Sequence, residues 1–255
     1  RALILHALSG GATRPENLSD CDDTQVMIRA LDHMPDVIDI HAAGTAMRFL
    51  TAYLCVTPGT HVITGTERMQ QRPIRILVDA LRTLGARIEY AGNEGFPPLR
   101  ITGTRLTGSE IELAGNVSSQ YISALLMIGA VLPAGLKLRL AGDIVSRPYI
   151  NLTLQLMHDF GAQAGWTSES SIAVAPGGYR DTPFCVESDW SAASYWYQMT
   201  ALTSGNAEVE LPGLRAHSPQ GDSRGAELFA RLGVQTEFTP QGVKLRKEGQ
   251  PAERL

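Results

Sequence analysis

Val37-Ile38-Asp39-Ile40-His41-Ala42-Ala43-Gly44-Thr45-Ala46-Met47-Arg48 reads as a short alternating strand, a turn of small residues and the opening of an apolar helix. The arrangement returns at Glu110–Leu113, leading into Ser118-Ser119-Gln120-Tyr121, and at Phe184–Glu187, leading into Ser191-Ala192-Ala193-Ser194-Tyr195. The equivalent strand positions Ile40, Leu113 and Val186 stand 73 residues apart. Each helix is followed by a strand pattern ending near glycine, at His61–Gly65, Leu136–Gly142 and Glu208–Gly213. A second helix then closes at Leu84-Gly85, Phe160-Gly161 and Leu232-Gly233, with spacings of 76 and 72. A fixed period of this kind marks a repeated supersecondary unit.

The second helix of the first unit carries one apolar stripe, Ile74, Leu77, Val78 and Leu81. Pro73 and Pro148 fit a first helical position, where no N–H is needed. The glycine behind each second helix fits a left-handed cap. Strands at Arg87–Tyr90 and Leu99–Thr102 complete the first unit, with counterparts at Ser171–Ala175 and Gly242–Leu245. The unit is β-α-β-α-β-β, expected over residues 36–108, 109–181 and 182–255. Residues 1–35 hold a helical remnant of an earlier unit, Ala2–Leu8 and then Thr24–His33, the latter capped by Ser19-Asp20-Cys21-Asp22-Asp23. The fold class is α/β (α+β). One unit has too little apolar surface to stand alone, so the units pack around shared, buried helices. Those helices begin with Gly, Ser or Thr, and their N-terminal N–H groups suit a phosphate.

Composition narrows the function. The 255 residues are 44% hydrophobic and 19% charged, which excludes a disordered chain, and no apolar run approaches the ~18 residues of a membrane span. The net charge of −4 does not favour a nucleic-acid surface. Only three of the 22 basic residues are lysines, so anion binding falls to arginine, whose planar fork suits phosphate and carboxylate. Cys21, Cys55 and Cys185 are odd in number and lack Cys-x-x-Cys spacing, as expected of a reducing compartment. The start, Arg1-Ala2-Leu3-Ile4-Leu5, has no signal-peptide pattern, and the chain reads as an excerpt of something longer.

Gly115-Asn116-Val117-Ser118-Ser119-Gln120 precedes an apolar helix expected at Tyr121–Val131. An N-cap explains one serine; two hydroxyls and an amide also suit a phosphorylated, hydroxyl-rich ligand. Arg72-Pro73 recurs as Arg147-Pro148 before the equivalent helix, either from shared packing or because both place guanidinium groups at helix starts. Arg48 stands one turn into a helix, an unfavourable place for an unpaired cation, which points to an acidic neighbour or ligand. Glu187 and Asp189 read as helix-start carboxylates before acid catalysts. The six histidines show no metal spacing, Ser9-Gly10-Gly11 lacks the Lys-Ser/Thr end of a P-loop, and no Ser-His-Asp set stands out.

The chain resembles the 5-enolpyruvylshikimate-3-phosphate synthase family of enolpyruvyl transferases, enzymes of the shikimate pathway. The resemblance is carried in family order by Arg1-Ala2-Leu3-Ile4-Leu5, Ala43-Gly44-Thr45-Ala46-Met47-Arg48, Arg68-Met69-x-x-Arg72-Pro73-Ile74, Val117-Ser118-Ser119-Gln120-Tyr121, Gly142-Asp143-Ile144-Val145-Ser146-Arg147-Pro148-Tyr149 and Gln220-Gly221-Asp222. It implies two domains of the inside-out α/β barrel type, with residues 1–186 as substrate-binding domain and 187–255 as the first unit of a second, truncated one. It implies transfer of the enolpyruvyl group of phosphoenolpyruvate to the 5-hydroxyl of shikimate 3-phosphate, by addition and elimination, with release of phosphate and no metal or organic cofactor. The implied partners are those two small molecules, with no nucleic acid or membrane, in a cytoplasmic protein that is monomeric at full length. Arg1, Ser118, Ser119, Gln120, Ser146 and Tyr149 then hold shikimate 3-phosphate. Gly44, Arg72 and Gln120 hold phosphoenolpyruvate, with Thr45 and Arg48 shaping the loop around Gly44.

Two departures bear on this. His41-Ala42 stands where the family has Gly-Asn, which removes a side-chain amide beside the Gly44 loop. The family's Lys-Ser pair and its proton-transferring Asp and Glu have no counterpart here, so this polypeptide is expected to show no turnover alone. Two other readings compete. A UDP-N-acetylglucosamine enolpyruvyl transferase calls for a cysteine before the Arg-Pro, where Gly65-Thr66-Glu67-Arg68 stands. The third reading is a non-catalytic module that binds phosphoesters.

Overall fold

The computed structural model describes residues 1–248. They form two compact units, the first ending at Phe184 and the second beginning at Cys185.

The first unit opens with α1 (Ala2–Ser9) and α2 (Asp22–His33). The Asp-rich lead into α2 does not cap it as expected: Cys21 is the N-cap residue and makes no side-chain capping bond. Asp22 and Asp23 instead lie in the first turn, where a carboxylate favours the helix dipole. Then come β1 (Val37–Asp39), α3 (Gly44–Val56), β2 (Thr60–Thr64), α4 (Arg75–Thr83), β3 (Arg87–Tyr90) and β4 (Leu99–Thr102). The pattern repeats as β5 (Glu110–Ala114), α5 (Ser119–Gly129), β6 (Leu136–Ala141), α6 (Arg147–Asp159), β7 (Ala164–Ser168) and β8 (Ser171–Val174).

Both repeats make one open four-stranded sheet of the same topology, β1-β2-β4-β3 and β5-β6-β8-β7. The first pair is parallel in each, Val37 opposite Val62 and Glu110 opposite Lys137, and the remaining pairs are antiparallel. The sheets stay separate; among the described residues none closes into a barrel.

Helices α3 and α5 are apolar all round and buried nearly throughout, as such a helix must be. Midway along α3 the polar groups bond within the helix: Thr51 Oγ1 donates to the Met47 carbonyl (2.7 Å) and Cys55 Sγ to the Thr51 carbonyl (3.1 Å). The α4 stripe is buried as its spacing predicts, and Gly85 and Gly161 take the left-handed conformation behind α4 and α6. Pro73 departs from expectation. It stands ahead of the N-cap residue Ile74, outside α4, whereas Pro148 lies in the first turn of α6.

The second unit holds α7 (Trp190–Leu202), β9 (Glu208–Pro212), α8 (Gly225–Ala230), β10 (Val234–Thr239) and β11 (Gly242–Lys247). Its sheet has the order β10-β11-β9, all antiparallel. The strand expected at Phe184–Glu187 is absent. One rung survives, from the Ser188 N–H to the Gly213 carbonyl (3.0 Å), matching Ile40 to Thr64 (3.0 Å) and Gly115 to Ala141 (2.7 Å). The Phe184 carbonyl accepts from the Glu16 N–H (2.8 Å), and side chains hold the rest of the segment. Glu187 accepts from Trp190 Nε1 (2.9 Å), the Arg215 N–H (3.0 Å) and Ser218 Oγ (2.7 Å), and Arg215 Nη2 donates to the Cys185 carbonyl (2.9 Å). Trp190, Tyr197, Leu211, Val234, Val243 and Leu245 make this unit's core. Unlike α3 and α5, α7 leaves Tyr195, Met199 and Leu202 exposed along one side. The part of the expected third repeat beyond residue 248 lies outside the described residues.

Candidate functional site

The site is built where α3 and α5 begin. Ser118 is the N-cap residue of α5, and its side chain accepts from the Gln120 N–H (3.3 Å), so the capping reading of that serine holds. Ser119 and Gln120 are the first two helical residues. Gln120 Nε2 donates to Thr45 Oγ1 (3.0 Å), joining the two repeats at their helix starts. No side chain caps α3.

Two guanidinium groups close on this point. A Cβ on Gly44 would lie 2.5 Å from Arg72 Nη1 and 3.1 Å from Arg48 Nη1, so glycine is what lets both approach the backbone. Arg48 is 5% exposed, donates to the Gly44 carbonyl (2.8 Å) and lies 6.0 Å from the Tyr121 ring centroid. Among the described residues no carboxylate pairs with it, and its partners are the Gly44 carbonyl and the Tyr121 ring. Burial, and then the adjacent Arg72 charge, push the Arg48 guanidinium below its usual value. Two like charges at an uncapped helix start are an arrangement whose chemistry suits an anion. Beside them lies a cavity of about 490 Å³ lined by Ala42, Thr66, Arg68, Met69 and Arg72.

Ser123 shares a face of α5 with Ser119, four residues before it. Its hydroxyl bonds Thr153 Oγ1 on α6 (2.8 Å), and Arg1 Nε donates to that same Thr153 oxygen (2.8 Å). The Arg1 guanidinium also lies 5.5 Å from the Phe49 ring centroid. Burial lowers it to about 10, and the nearby Tyr149 works against that shift. Its hydrogen-bond partners are neutral hydroxyls, so its charge is left for something else. Tyr149 is exposed, and its carbonyl accepts from Thr153 Oγ1 (2.9 Å). One turn earlier, Ser146 is the N-cap residue of α6 and its hydroxyl makes no capping bond.

The structure therefore joins Gly44, Thr45, Arg48, Arg72, Ser118 and Gln120 directly, and links Arg1 to Ser123, one turn along α5 from Ser119, and through Thr153 to Tyr149. Arg147 does not repeat Arg72. Its guanidinium stacks 4.1 Å from the Trp166 ring centroid and donates to the Glu169 carbonyl, so the recurring Arg-Pro serves packing there. Glu187 and Asp189 are structural as read: Asp189 caps α7 through the Ser191 N–H (2.7 Å). His41 adopts a φ of 50° and is held by Asp39, through its N–H (2.8 Å) and at Nδ1 (3.7 Å). Ala42 lines the cavity. Tyr121, Ser123 and Thr153 were missed, because a hydroxyl on an apolar helix gives no periodic signal; only their contacts mark them.

The sequence model of EPSP synthase (3-phosphoshikimate 1-carboxyvinyltransferase) matches residues 1–253. The chain belongs to the EPSP synthase family. A 3-phosphoshikimate 1-carboxyvinyltransferase of Bacteroides fragilis is 72% identical over 255 residues, 100% of this chain and 62% of that protein. The Photobacterium profundum enzyme of the same name is 38% identical, over 97% of this chain and 64% of that one. The chain thus spans about three fifths of the length of the curated relatives it matches. Among solved structures, the EPSP synthase of Acinetobacter baumannii superposes with a TM-score of 0.75 at 21% identity, over 98% of this chain and 64% of that one. The enolpyruvyl transferase NikO of Streptomyces tendae gives 0.65 at 15% identity, over 99% and 63%. At those identities the likeness is one of fold. Among the described residues no helix is long and apolar enough to cross a membrane.

Proposed function

We propose that this chain supplies the substrate-holding part of an EPSP synthase, which transfers the enolpyruvyl group of phosphoenolpyruvate to the 5-hydroxyl of shikimate 3-phosphate and releases phosphate. The observation that carries the reading is the meeting of Arg48 and Arg72 over Gly44 beside the Gln120–Thr45 bond. In this reading Ser118, Ser119, Gln120, Ser146, Tyr149 and Arg1 hold shikimate 3-phosphate. The backbone of Gly44, Arg72 and Gln120 hold phosphoenolpyruvate, while Thr45 and Arg48 fix the loop. The 5-hydroxyl adds to C2 of the enol phosphate as C3 takes a proton, giving a tetrahedral intermediate; loss of phosphate and of a C3 proton then leaves the enol ether product. Guanidinium and amide dipoles that are already in place stabilise the charge without reorganising.

The residues gathered here are cations, hydroxyls and amides, so their part is binding and orientation, and proton transfer falls to other groups. We read residues 1–186 as the substrate domain and 187–255 as the opening unit of a second domain; the bare apolar side of α7 supports that division. We also read the full-length protein as monomeric and cytoplasmic, in line with its unpaired cysteines.

Calorimetric titration of the 255-residue chain tests the proposal. Heat with shikimate 3-phosphate, none with UDP-N-acetylglucosamine and no phosphate release from the two substrates together are the expected results. Heat from neither ester sinks the binding reading, and phosphate release sinks the assignment of proton transfer to other groups.

A further inference from the structure

Tyr121 is the residue after Gln120, 8% exposed, and it reaches the other repeat by a second route. Its hydroxyl donates to the Pro73 carbonyl at 2.7 Å, across 48 residues. That carbonyl stands ahead of the first rung of α4, from the Val78 N–H to the Ile74 carbonyl (3.1 Å), so it lies outside the helical ladder. Pro73 directly follows Arg72, whose own N–H donates to the Met69 carbonyl (3.0 Å). The extended residue that carries the Arg72 guanidinium is thus held on its N-terminal side by Met69 and on its C-terminal side by Tyr121. The same ring stands beside Arg48, the other guanidinium at Gly44, within cation–π range.

We infer that Tyr121 is a positioning residue that ties the start of α5 to Arg72, so that the pocket of one ester sets the geometry of the other. This rests on the functional reading above. Two successive residues of α5 then span the repeats: Gln120 fixes the start of α3 and Tyr121 fixes the Arg72-Pro73 backbone. The substitution Tyr121→Phe keeps the ring and the burial and removes only what the hydroxyl supplies, its bond to the Pro73 carbonyl and its interaction with Arg48.

The test compares the full chain with Tyr121→Phe and with Tyr179→Phe. Tyr179 likewise donates to a backbone carbonyl, that of Met127 (2.6 Å), but takes no part in the site. Without ligand, backbone amide exchange at Arg72 is expected to quicken about fivefold in Tyr121→Phe and to stay as it was in Tyr179→Phe. With shikimate 3-phosphate saturating, phosphoenolpyruvate binding is expected to weaken about five- to tenfold in Tyr121→Phe, the scale of one hydrogen bond, while shikimate 3-phosphate alone binds within about twofold of the parent chain. Unchanged exchange at Arg72, or equal loss of both ligands, overturns the inference. The exchange measurement decides the tie even if the parent chain binds neither ester, a result that would count against the function instead.

Discussion

Gln120 Nε2 and Thr45 Oγ1 meet at 3.0 Å across 75 residues, and through that bond the first helices of two repeats share one N-terminal edge. Each repeat brings half of what an anionic ester needs, the hydroxyls from α5 and the guanidinium groups beside α3. Thr45→Val and Gln120→Ala should each lower stability by about 1 kcal/mol, and the double variant by clearly less than the sum of the two. Urea denaturation of the four proteins measures it; strict additivity would mean the bond contributes nothing.

Gly44 divides stability from binding. Alanine is the better helix former by ~0.5–1 kcal/mol, yet its methyl would displace the ends of Arg72 and Arg48. Gly44→Ala is therefore expected to melt no lower than the parent chain while binding phosphate esters at least tenfold more weakly, since a charge-assisted bond contributes ~1.5–3 kcal/mol. Thermal melting and calorimetry together check it.

Glu187 accepts three hydrogen bonds in place of a strand ladder. Glu187→Ala leaves Trp190 Nε1 and the Arg215 N–H without their acceptor, and should destabilise the second unit by ~2–3 kcal/mol. Hydrogen exchange should quicken over α7 and β9 and stay unchanged over α3 and α5; uniform quickening would argue against it.

Alkaline stability has a definite sign. Burial pushes the Cys55 thiol up to about 12 and the Tyr179 phenol well above its usual value. Both stay neutral in the fold and lose protons on unfolding above their ordinary values of ~8.5 and ~10, so stability is whole below pH ~8.5 and declines as pH rises past it. Tyr179→Phe should flatten the decline above pH ~10, as followed by denaturant midpoints. In the folded chain a maleimide should label the exposed Cys21 and Cys185 and spare Cys55.

Sequence reasoning reached what periodicity encodes. The two full repeats, the α4 stripe and the glycines behind α4 and α6 all follow from apolar spacing and backbone freedom. The repeat implies β7 and β10 without bounding them, because these edge strands bury at most one residue each and lack an apolar face to mark their limits. Phe184–Glu187 has a strand's composition, but Glu187 takes its bonds from the 215–218 loop. Pro73 fits a helix start because its missing N–H is not needed there, a rule that cannot anticipate a carbonyl bound by Tyr121 from another repeat. At the candidate site the motif residues are legible in the sequence, while Ser123 and Thr153 show only through their bonds with Arg1 and each other.

The near-complete burial of α3 and α5 makes the two repeats thermodynamically inseparable. Severed near Gly108, each piece would carry an oily rod with no sleeve, and neither would persist by itself. Duplication here has produced a melting unit twice the length of its motif, and damage in one copy is felt in full by the other.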